Sequence, residues 1–238
     1  EDPQPDLPVL KIGSDEYSPY FYISDDGSFT GIDVELATEA CRRMGYKAEF
    51  HQISWQEKDA CLKNGEVDCL WGSFSMTGRE DRYIWAGPYM NSRQVVVVPS
   101  ESDITRLSDL EGKRIGVQTS SKPDELFSSG GENVPKVKYI YGFSSMNNVL
   151  AALRKNYVDA IAGHETAIAE FVNNSPNSYR ILDETLLSVN LGVAFYKESD
   201  NTRLAERLTA VLDEMNTDGF TAQVLAKYGL DPERTQTK

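Results

Sequence analysis

The sequence predicts an α/β fold of two lobes, each a mainly parallel sheet flanked by helices, joined by a two-strand hinge. Short apolar strands alternate with amphipathic helices along most of the 238 residues. Right-handed crossovers between such strands build a parallel sheet with helices on its faces. Two apolar strands cross between the lobes, so the predicted domains are residues 1–98 with 190–238, and residues 99–189.

The first lobe opens with a β-α-β pattern. Its predicted elements are strand 9–12, helix 33–44, strand 47–51, helix 55–64 and strand 67–71. The first helix places Val34, Leu36 and Ala37 on one apolar side. Gly65 ends the second helix, because glycine readily adopts the left-handed conformation that closes a helix.

The second lobe follows an apolar strand over 94–98, which leaves the first. Its predicted elements are strand 114–117, a helix after Ser121, strand 139–141, helix 146–156 and strand 157–162. Pro123 suits a first helical turn, and Ser145 suits an N-cap. A return strand over 189–197 precedes helices 202–217 and 221–228. The polar tail 231–238 is expected to fray.

Composition excludes several classes of function. A net charge of −13 argues against nucleic-acid binding, which selects for basic patches. No apolar run approaches the length that crosses a bilayer, and the N-terminal segment has neither the basic nor the apolar region of an export signal. With two histidines and no zinc-like spacing of cysteines, no metal and no cofactor are expected.

The three cysteines, Cys41, Cys61 and Cys69, cannot all pair. Each lies where the apolar pattern points inward, which favours buried thiols. A bridge between Cys61 and Cys69 is the alternative.

Between Gly65 and Tyr89 an apolar strand gives way to a Ser/Thr/Gly-rich turn that presents Arg79. Small residues let backbone N–H groups and hydroxyls approach a ligand, and a guanidinium grips a carboxylate through two parallel hydrogen bonds. Phe74 and Trp71 supply apolar walls. The candidate binding residues of this turn are Ser73, Phe74, Ser75, Thr77 and Arg79. A polar loop with a solvated arginine is the alternative.

Other candidates follow other predicted strands, because ligands of open α/β sheets lie beyond the carboxyl ends of the strands. In a two-lobed protein this predicts a ligand cleft between the lobes. The further candidates are Asp15, Tyr17 and Trp55 in the first lobe, and Ser120, Ser121, Lys122, His164 and Glu165 in the second. Ser120 to Lys122 open a helix, whose N-terminus favours an anion. Core packing is the alternative for Tyr17 and Trp55, and a solvated side chain for Lys122.

Nearly the whole chain resembles the bacterial extracytoplasmic solute-binding proteins of amino-acid ABC transporters. The segments that carry the resemblance are IGSDEYSPYFYISDDGSFTGIDVELATEACRRMGY, LKNGEVD, SFSMTGR, WAGPY, RLSDLEGKRIGV, LRKNYVDAIAGHETA and DGFTAQVLAKYGL. The resemblance implies the periplasmic-binding-protein-like fold, type 2. It also implies that Arg79 holds a ligand α-carboxylate, with help from N–H groups of the turns at 73–77 and 120–122. Aromatic rings at Tyr17 and Trp55 would sandwich the ligand side chain.

Four features depart from the family pattern, one of them Ser120, where the family usually has glycine. The spacing from Thr77 to Arg79 is one residue shorter than usual. The family's ammonium-binding aspartate falls on His164, and imidazole cannot replace a carboxylate as counter-ion. Either Glu165 takes that duty or the ligand lacks a normally placed ammonium. Lys122, where a small hydroxyl residue is common, would suit a second acidic group on the ligand.

The resemblance implies a monomer that binds a small carboxylate-bearing solute, most simply an amino acid, outside the cytoplasm and closes its lobes on it for uptake by a membrane permease. One alternative is the extracellular sensor module of a histidine kinase or similar receptor, with a covalently linked signalling domain as partner. A remoter alternative is a dehydratase or cell-wall lytic enzyme, with His164 and Glu165 as an acid/base pair. No nucleophile motif accompanies that pair, so no enzyme activity is expected.

Overall fold

The computed structural model describes residues 7–130, 134–175 and 177–237, apart from the side chain of Arg234, and the chain divides into two compact units. Unit 1 comprises the residues up to Asn91 and from Asn190 onward, and unit 2 is Ser92–Val189. The first boundary lies earlier in the same strand than the one expected from the sequence.

The first part of the chain contains β1 (Val9–Ser14), β2 (Tyr22–Ile23), β3 (Phe29–Thr30), α1 (Ile32–Met44), β4 (Lys47–Gln52), α2 (Lys58–Lys63), β5 (Cys69–Leu70) and β6 (Ile84–Pro99). The middle part contains β7 (Arg114–Gln118), α3 (Lys122–Ser129), β8 (Tyr139–Phe143), α4 (Met146–Arg154), β9 (Ala160–His164), α5 (Glu165–Asn173), β10 (Tyr179–Ile181) and β11 (Leu187–Phe195). The last part contains α6 (Thr202–Thr217), α7 (Phe220–Lys227) and α8 (Pro232–Thr235).

The sheet of unit 1 is mainly parallel, as predicted. β1 pairs in parallel with β4 on one side and with β5 on the other, with Ile12 opposite Phe50 and Cys69. The end of β11 closes this group by pairing antiparallel to β5. The carboxyl ends of β4, β1 and β5 therefore lie side by side at one edge of the sheet.

Unit 2 repeats this arrangement around β7, which pairs in parallel with β8 and with β9. The second half of β6 pairs antiparallel to β9, with Gln94 opposite His164, and β10 pairs antiparallel to the end of β6. Helix caps follow the sequence predictions here. The hydroxyls of Ser121 and Ser145 both accept a hydrogen bond from the first turn of the helix that each begins.

Several predicted elements differ from the observed ones. The predicted helix 55–64 begins as a 3₁₀ turn over Trp55–Glu57 before α2. β6 starts ten residues before the predicted strand 94–98, at Ile84. The predicted strand 157–162 is β9, which starts only at Ala160, because Asn156 turns the chain with a φ of 57° and leaves Tyr157 exposed.

The predicted elements did not include β2, β3, α5, β10 or α8, all of which are at most nine residues long and carry weak periodicity. The prediction of a frayed tail was wrong for its described part. That part contains α8. The side-chain Nδ2 of Asn216 also donates hydrogen bonds to the backbone carbonyl and the hydroxyl of Thr237.

All three cysteines are buried free thiols, so the predicted thiol state is confirmed and the alternative bridge between Cys61 and Cys69 is absent. Burial raises the pKa of the Cys41 thiol to about 12, which keeps it protonated and unreactive. Within the described ranges, no helix has the length and apolar character that a membrane span requires.

Candidate ligand-binding site

In unit 1 the predicted site residues lie on three loops that follow neighbouring parallel strands. Backbone hydrogen bonds connect these loops where they leave the strands. The Ile53 amide donates to the Ser14 carbonyl at 2.8 Å, and the Trp71 amide donates to the Gly13 carbonyl at 3.1 Å. Gly72 allows the closest approach, because a Cβ there would lie 1.9 Å from the Ser14 hydroxyl. The loops carrying Asp15, Trp55 and the 73–79 turn are therefore neighbours.

A buried aspartate of α1 fixes the turn that follows β5. Ser73 has a φ of 46°, and its amide donates a 2.6 Å hydrogen bond to one carboxylate oxygen of Asp33. The other oxygen of Asp33 accepts a 2.8 Å hydrogen bond from the Tyr89 hydroxyl. Burial raises the pKa of Asp33 to about 7, against the two hydrogen bonds, which lower it. The Ser73 amide is therefore committed to the fold and does not remain for a ligand.

Met76 and Thr77, later in the same turn, form hydrogen bonds with Asn190 of β11. The Met76 amide donates to the Asn190 carbonyl at 2.8 Å, and the Thr77 hydroxyl accepts from the Asn190 amide at 3.0 Å. Among the described residues no hydrogen bond from the Ser75 or Thr77 amide is observed. These two N–H groups would be available to donate to an anion at the turn.

Arg79 is 2% exposed and lies against the Phe74 ring, with its guanidinium carbon 5.1 Å from the ring centroid. One guanidinium nitrogen donates to the Ser75 carbonyl at 3.3 Å. The Arg79 backbone is held as well, because its carbonyl accepts a hydrogen bond from the Trp85 indole at 3.0 Å. The alternative of a solvated arginine is therefore wrong.

Aromatic rings surround Phe74. Its ring centroid lies 4.9 Å from that of Trp55, 5.2 Å from Tyr83 and 5.1 Å from Trp85. We call these four rings the aromatic cluster of unit 1. Trp55 is 6% exposed and belongs to the core of its unit. Tyr17 is also buried, in the loop that follows β1.

In unit 2 the predicted anion site at the start of α3 is occupied by the protein's own groups. The Ser120 amide donates to the Asp124 carboxylate at 2.8 Å, while the Ser121 hydroxyl caps the helix. Lys122 forms a 3.3 Å ion pair with Glu125 and keeps only 10% of its side chain exposed. The alternative of a solvated Lys122 is therefore wrong.

His164 ends β9 and is 7% exposed. Its Nδ1 lies 3.1 Å from the Ser92 hydroxyl, and the Gln94 amide nitrogen lies 3.2 Å from its Nε2. Glu165 is the first residue of α5 and forms an ion pair with Arg93, with 2.6 Å between Nε and a carboxylate oxygen. Arg93 therefore offsets the charge that Glu165 was expected to offer an ammonium group.

The sequence of residues 10–231 matches the model of the family described as bacterial extracellular solute-binding proteins, family 3. The chain belongs to this family. The predicted family and the two-lobed α/β fold class are thereby confirmed.

Relatives of this solute-binding protein include amino-acid-binding proteins. The L-cystine-binding protein TcyA of Bacillus subtilis is 28% identical over 224 residues, which cover 92% of this chain and 81% of the relative. The histidine-binding periplasmic protein of Escherichia coli K12 is 27% identical over 230 residues, covering 92% and 86%. A substrate-binding protein of an ABC uptake transporter from Streptococcus pneumoniae, solved with bound histidine, superposes with a TM-score of 0.87 at 25% identity, covering 97% and 95%.

Sequence reasoning missed two buried charged residues of this solute-binding protein, Asp33 and Lys58, both in unit 1. A signal existed for each. Asp33 opens a helix beside Val34, and Lys58 falls on the helix face that Trp55 and Leu62 share. Both side chains occupy positions where the helical period calls for an apolar residue.

Proposed function

We propose that this solute-binding protein captures a small carboxylate-bearing solute, an amino acid or a close relative, outside the cytoplasm and delivers it to an ABC-type permease. The family supports solute capture, and the named relatives support the amino-acid class. In this proposal, Arg79 is the residue that binds the ligand carboxylate.

Arg79 suits a carboxylate because its guanidinium is preorganised. Packing against Phe74 and the bond to the Ser75 carbonyl hold the fork in place before any ligand arrives. An arginine fixed in this way loses little conformational freedom on binding, and its planar fork matches a carboxylate. The Ser75 and Thr77 amides supply further donors.

Capture is proposed to proceed by closure of the two lobes on the ligand, with unit 1 engaging the carboxylate first. Contacts made only in the closed form would set how far the population shifts toward it. His164 and Glu165 remain the proposed contributions of unit 2, and the turn at Ser120 to Lys122 would join them by exchanging its present partners, Asp124 and Glu125, for the ligand. Tyr17, Trp55 and Asp15 remain those of unit 1.

The direct test is a thermal-shift screen followed by calorimetry with twenty amino acids, L-cystine and simple dicarboxylates. A ligand at about a hundred times its dissociation constant should raise the free energy of unfolding by roughly 2.7 kcal/mol. A chain that no amino acid stabilises would contradict the proposed ligand class.

Arg79→Ala should abolish binding of every amino acid that the wild-type chain binds. Leaving the carboxylate without its buried partner costs about 2 to 5 kcal/mol or more. The matched control is Arg42→Ala, since Arg42 keeps 71% of its side chain exposed on α1. Equal affinity of the Arg79 and Arg42 variants in calorimetry would remove Arg79 from the site.

A further inference from the structure

Strand β8 lies at the edge of the sheet of unit 2. It pairs with β7 on one side, and no described strand pairs with its other side. The Phe143 carbonyl accepts a 2.9 Å hydrogen bond from the Thr119 amide, on the β7 side. Backbone groups of successive residues in a strand point to alternate sides, so the N–H and C=O groups of Ile140 and Gly142 face away from β7. Such a row of outward groups is a template for another strand.

The exposed face of β8 is aromatic. Tyr139 and Tyr141 are 53% and 43% exposed, and their ring centroids lie 6.1 Å apart. The two rings share one face of the strand, because they are two residues apart. Edge strands are commonly protected by proline or by charged side chains, and the five residues of β8 include neither. Exposed tyrosines are also enriched where proteins bind other proteins.

The residues that lead into β8 make this edge cationic. Lys136 and Lys138 are exposed, and the Lys138 Nζ lies 5.4 Å from the centroid of the Tyr139 ring. Residues 134–143 contain these two lysines and no aspartate or glutamate. The edge of β8 therefore offers an aromatic surface with positive charge at its amino end.

This local charge stands out against that of the chain. Residues 92–189 hold 10 Lys and Arg against 12 Asp and Glu, which leaves 14 against 25 for the remainder. Unit 1 therefore carries nearly all of the net charge of −13, and unit 2 is close to neutral. An acidic partner is repelled by unit 1 and attracted to the cationic end of β8, which favours this edge over the rest of the surface.

We infer that the edge of β8 binds an extended acidic segment of a partner protein, which joins the sheet as a further strand. The outward backbone groups of Ile140 and Gly142 supply hydrogen bonds to the segment. Tyr139 and Tyr141 pack against alternate apolar side chains of the segment, and the two lysines pair with its carboxylates. A second copy of this chain fits less well, because its own β8 brings two further lysines and no acid.

This inference does not depend on the proposed function, since β7 separates β8 from β9, the strand that ends at His164. The test is an NMR titration of the ¹⁵N-labelled chain with the end-capped peptide Glu-Val-Thr-Val-Thr-Val-Glu, whose acidic ends allow either strand direction. Saturable shifts of the Ile140 and Gly142 amide signals are expected. The matched peptide with lysine in place of both glutamates should bind at least about tenfold more weakly. Proline in place of the central valine removes a backbone donor and should weaken binding to a similar extent.

Variants of the edge separate the contributions of charge and aromatic packing. The double variant Lys136→Glu with Lys138→Glu should reverse the preference between the acidic and basic peptides. Tyr141→Ser should weaken the acidic peptide about fivefold. Tyr157→Ser is the matched control, because Tyr157 is 63% exposed in the same unit but lies outside β8, and it should bind like wild type. The unfolding midpoint of each variant checks that it folds.

The remaining outcomes would overturn the inference. They include no saturable shift of the β8 amides, equal binding of the two charged peptides, and unchanged affinity in the lysine and tyrosine variants. Self-association in analytical ultracentrifugation that Tyr141→Ser removes would assign the edge to a second copy of the chain. Cosedimentation with phosphatidylglycerol vesicles, without peptide binding, would assign it to a lipid surface. Calorimetry with amino acids tests the proposed function separately from all of these results.

Discussion

At Ser73 the chain takes a backbone conformation that serine seldom adopts, and Asp33 holds it there. The φ of 46° turns the Ser73 amide toward a carboxylate that is itself buried and shared with Tyr89. The strain at one residue is thus offset by a charge-assisted hydrogen bond from another element. Asp33 acts as a positioning residue for the turn that carries Arg79.

Asp33 should give the chain a pH-dependent stability. Below about pH 4 both folded and unfolded chains hold its proton. As pH rises toward 7, the unfolded chain releases the proton first, because the folded-state pKa is raised from 3.8 to about 7. Asp33 therefore lowers the free energy of unfolding across this window, by at most about 4 kcal/mol.

Urea unfolding of wild type and Asp33→Asn between pH 4 and pH 7 measures this effect. The stability of wild type relative to the variant should fall as pH rises. Asp25→Asn, at an exposed turn position, is the control and should track wild type. A constant difference between wild type and Asp33→Asn over the whole range would contradict the raised pKa.

At the scale of elements, one aspartate in each unit accepts a hydrogen bond from the backbone of a neighbouring strand, an arrangement that we call a strand clamp. Both aspartates lie in segments that resemble the family, LKNGEVD and LRKNYVDAIAGHETA. Asp68, just before β5, accepts a 2.7 Å hydrogen bond from the Lys11 amide of β1. Asp159, just before β9, accepts a 2.8 Å hydrogen bond from the Arg114 amide of β7 and forms an ion pair with the Arg114 side chain. Each unit thus fixes its central strand with an aspartate from the turn that precedes the neighbouring strand.

Asp159→Ala should lower the free energy of unfolding by about 1 to 3 kcal/mol, because the Arg114 amide and guanidinium lose their shared acceptor. The ion pair lowers the pKa of Asp159, so the loss should be greatest at neutral pH and should shrink in acid. Chemical denaturation at pH 7 is the measurement.

Asp103→Ala is a matched control for the clamp, since Asp103 pairs with the adjacent Lys113 but keeps 83% of its side chain exposed. It should change stability by no more than about 0.5 kcal/mol. Similar losses in the two variants would show that the clamp at Asp159 is only a surface ion pair.

At the scale of the whole molecule, the uneven distribution of charge is the dominant electrostatic feature. The net charge of −13 belongs mainly to unit 1, while unit 2 is close to neutral. Like charges on one compact unit repel each other, and salt screens that repulsion over about 8 Å at physiological ionic strength.

The thermal midpoint of the ligand-free chain should therefore rise as NaCl increases from about 10 mM to about 150 mM at pH 7. Differential scanning calorimetry measures the midpoint, and KCl should give the same result if screening is the cause. A midpoint that falls with either salt would show that attractive ion pairs outweigh the repulsion.

Some parts of the candidate site follow from local sequence, and others depend on contacts between distant segments. The turn after β5 could be predicted, because glycine, hydroxyl residues and arginine have local meanings there. The environment of Glu165 could not, since Arg93 is distant in sequence and meets it only through the pairing of β6 with β9. Asp124, by contrast, lies only four residues after Ser120, so its hydrogen bond with the Ser120 amide is a local contact that the sequence analysis overlooked.

By itself, the sequence determined the α/β class, the order of most elements, the helix caps, the buried thiols and the family. Each of these depends on periodicity or on local motifs, which operate over a few residues. Only the tertiary structure decided which polar groups are already satisfied within the fold and which strand lies at the edge of its sheet. Asp33 under the Ser73 turn, and β8 at the edge of the sheet of unit 2, arise from contacts between segments far apart in the chain. Local sequence patterns do not encode such contacts.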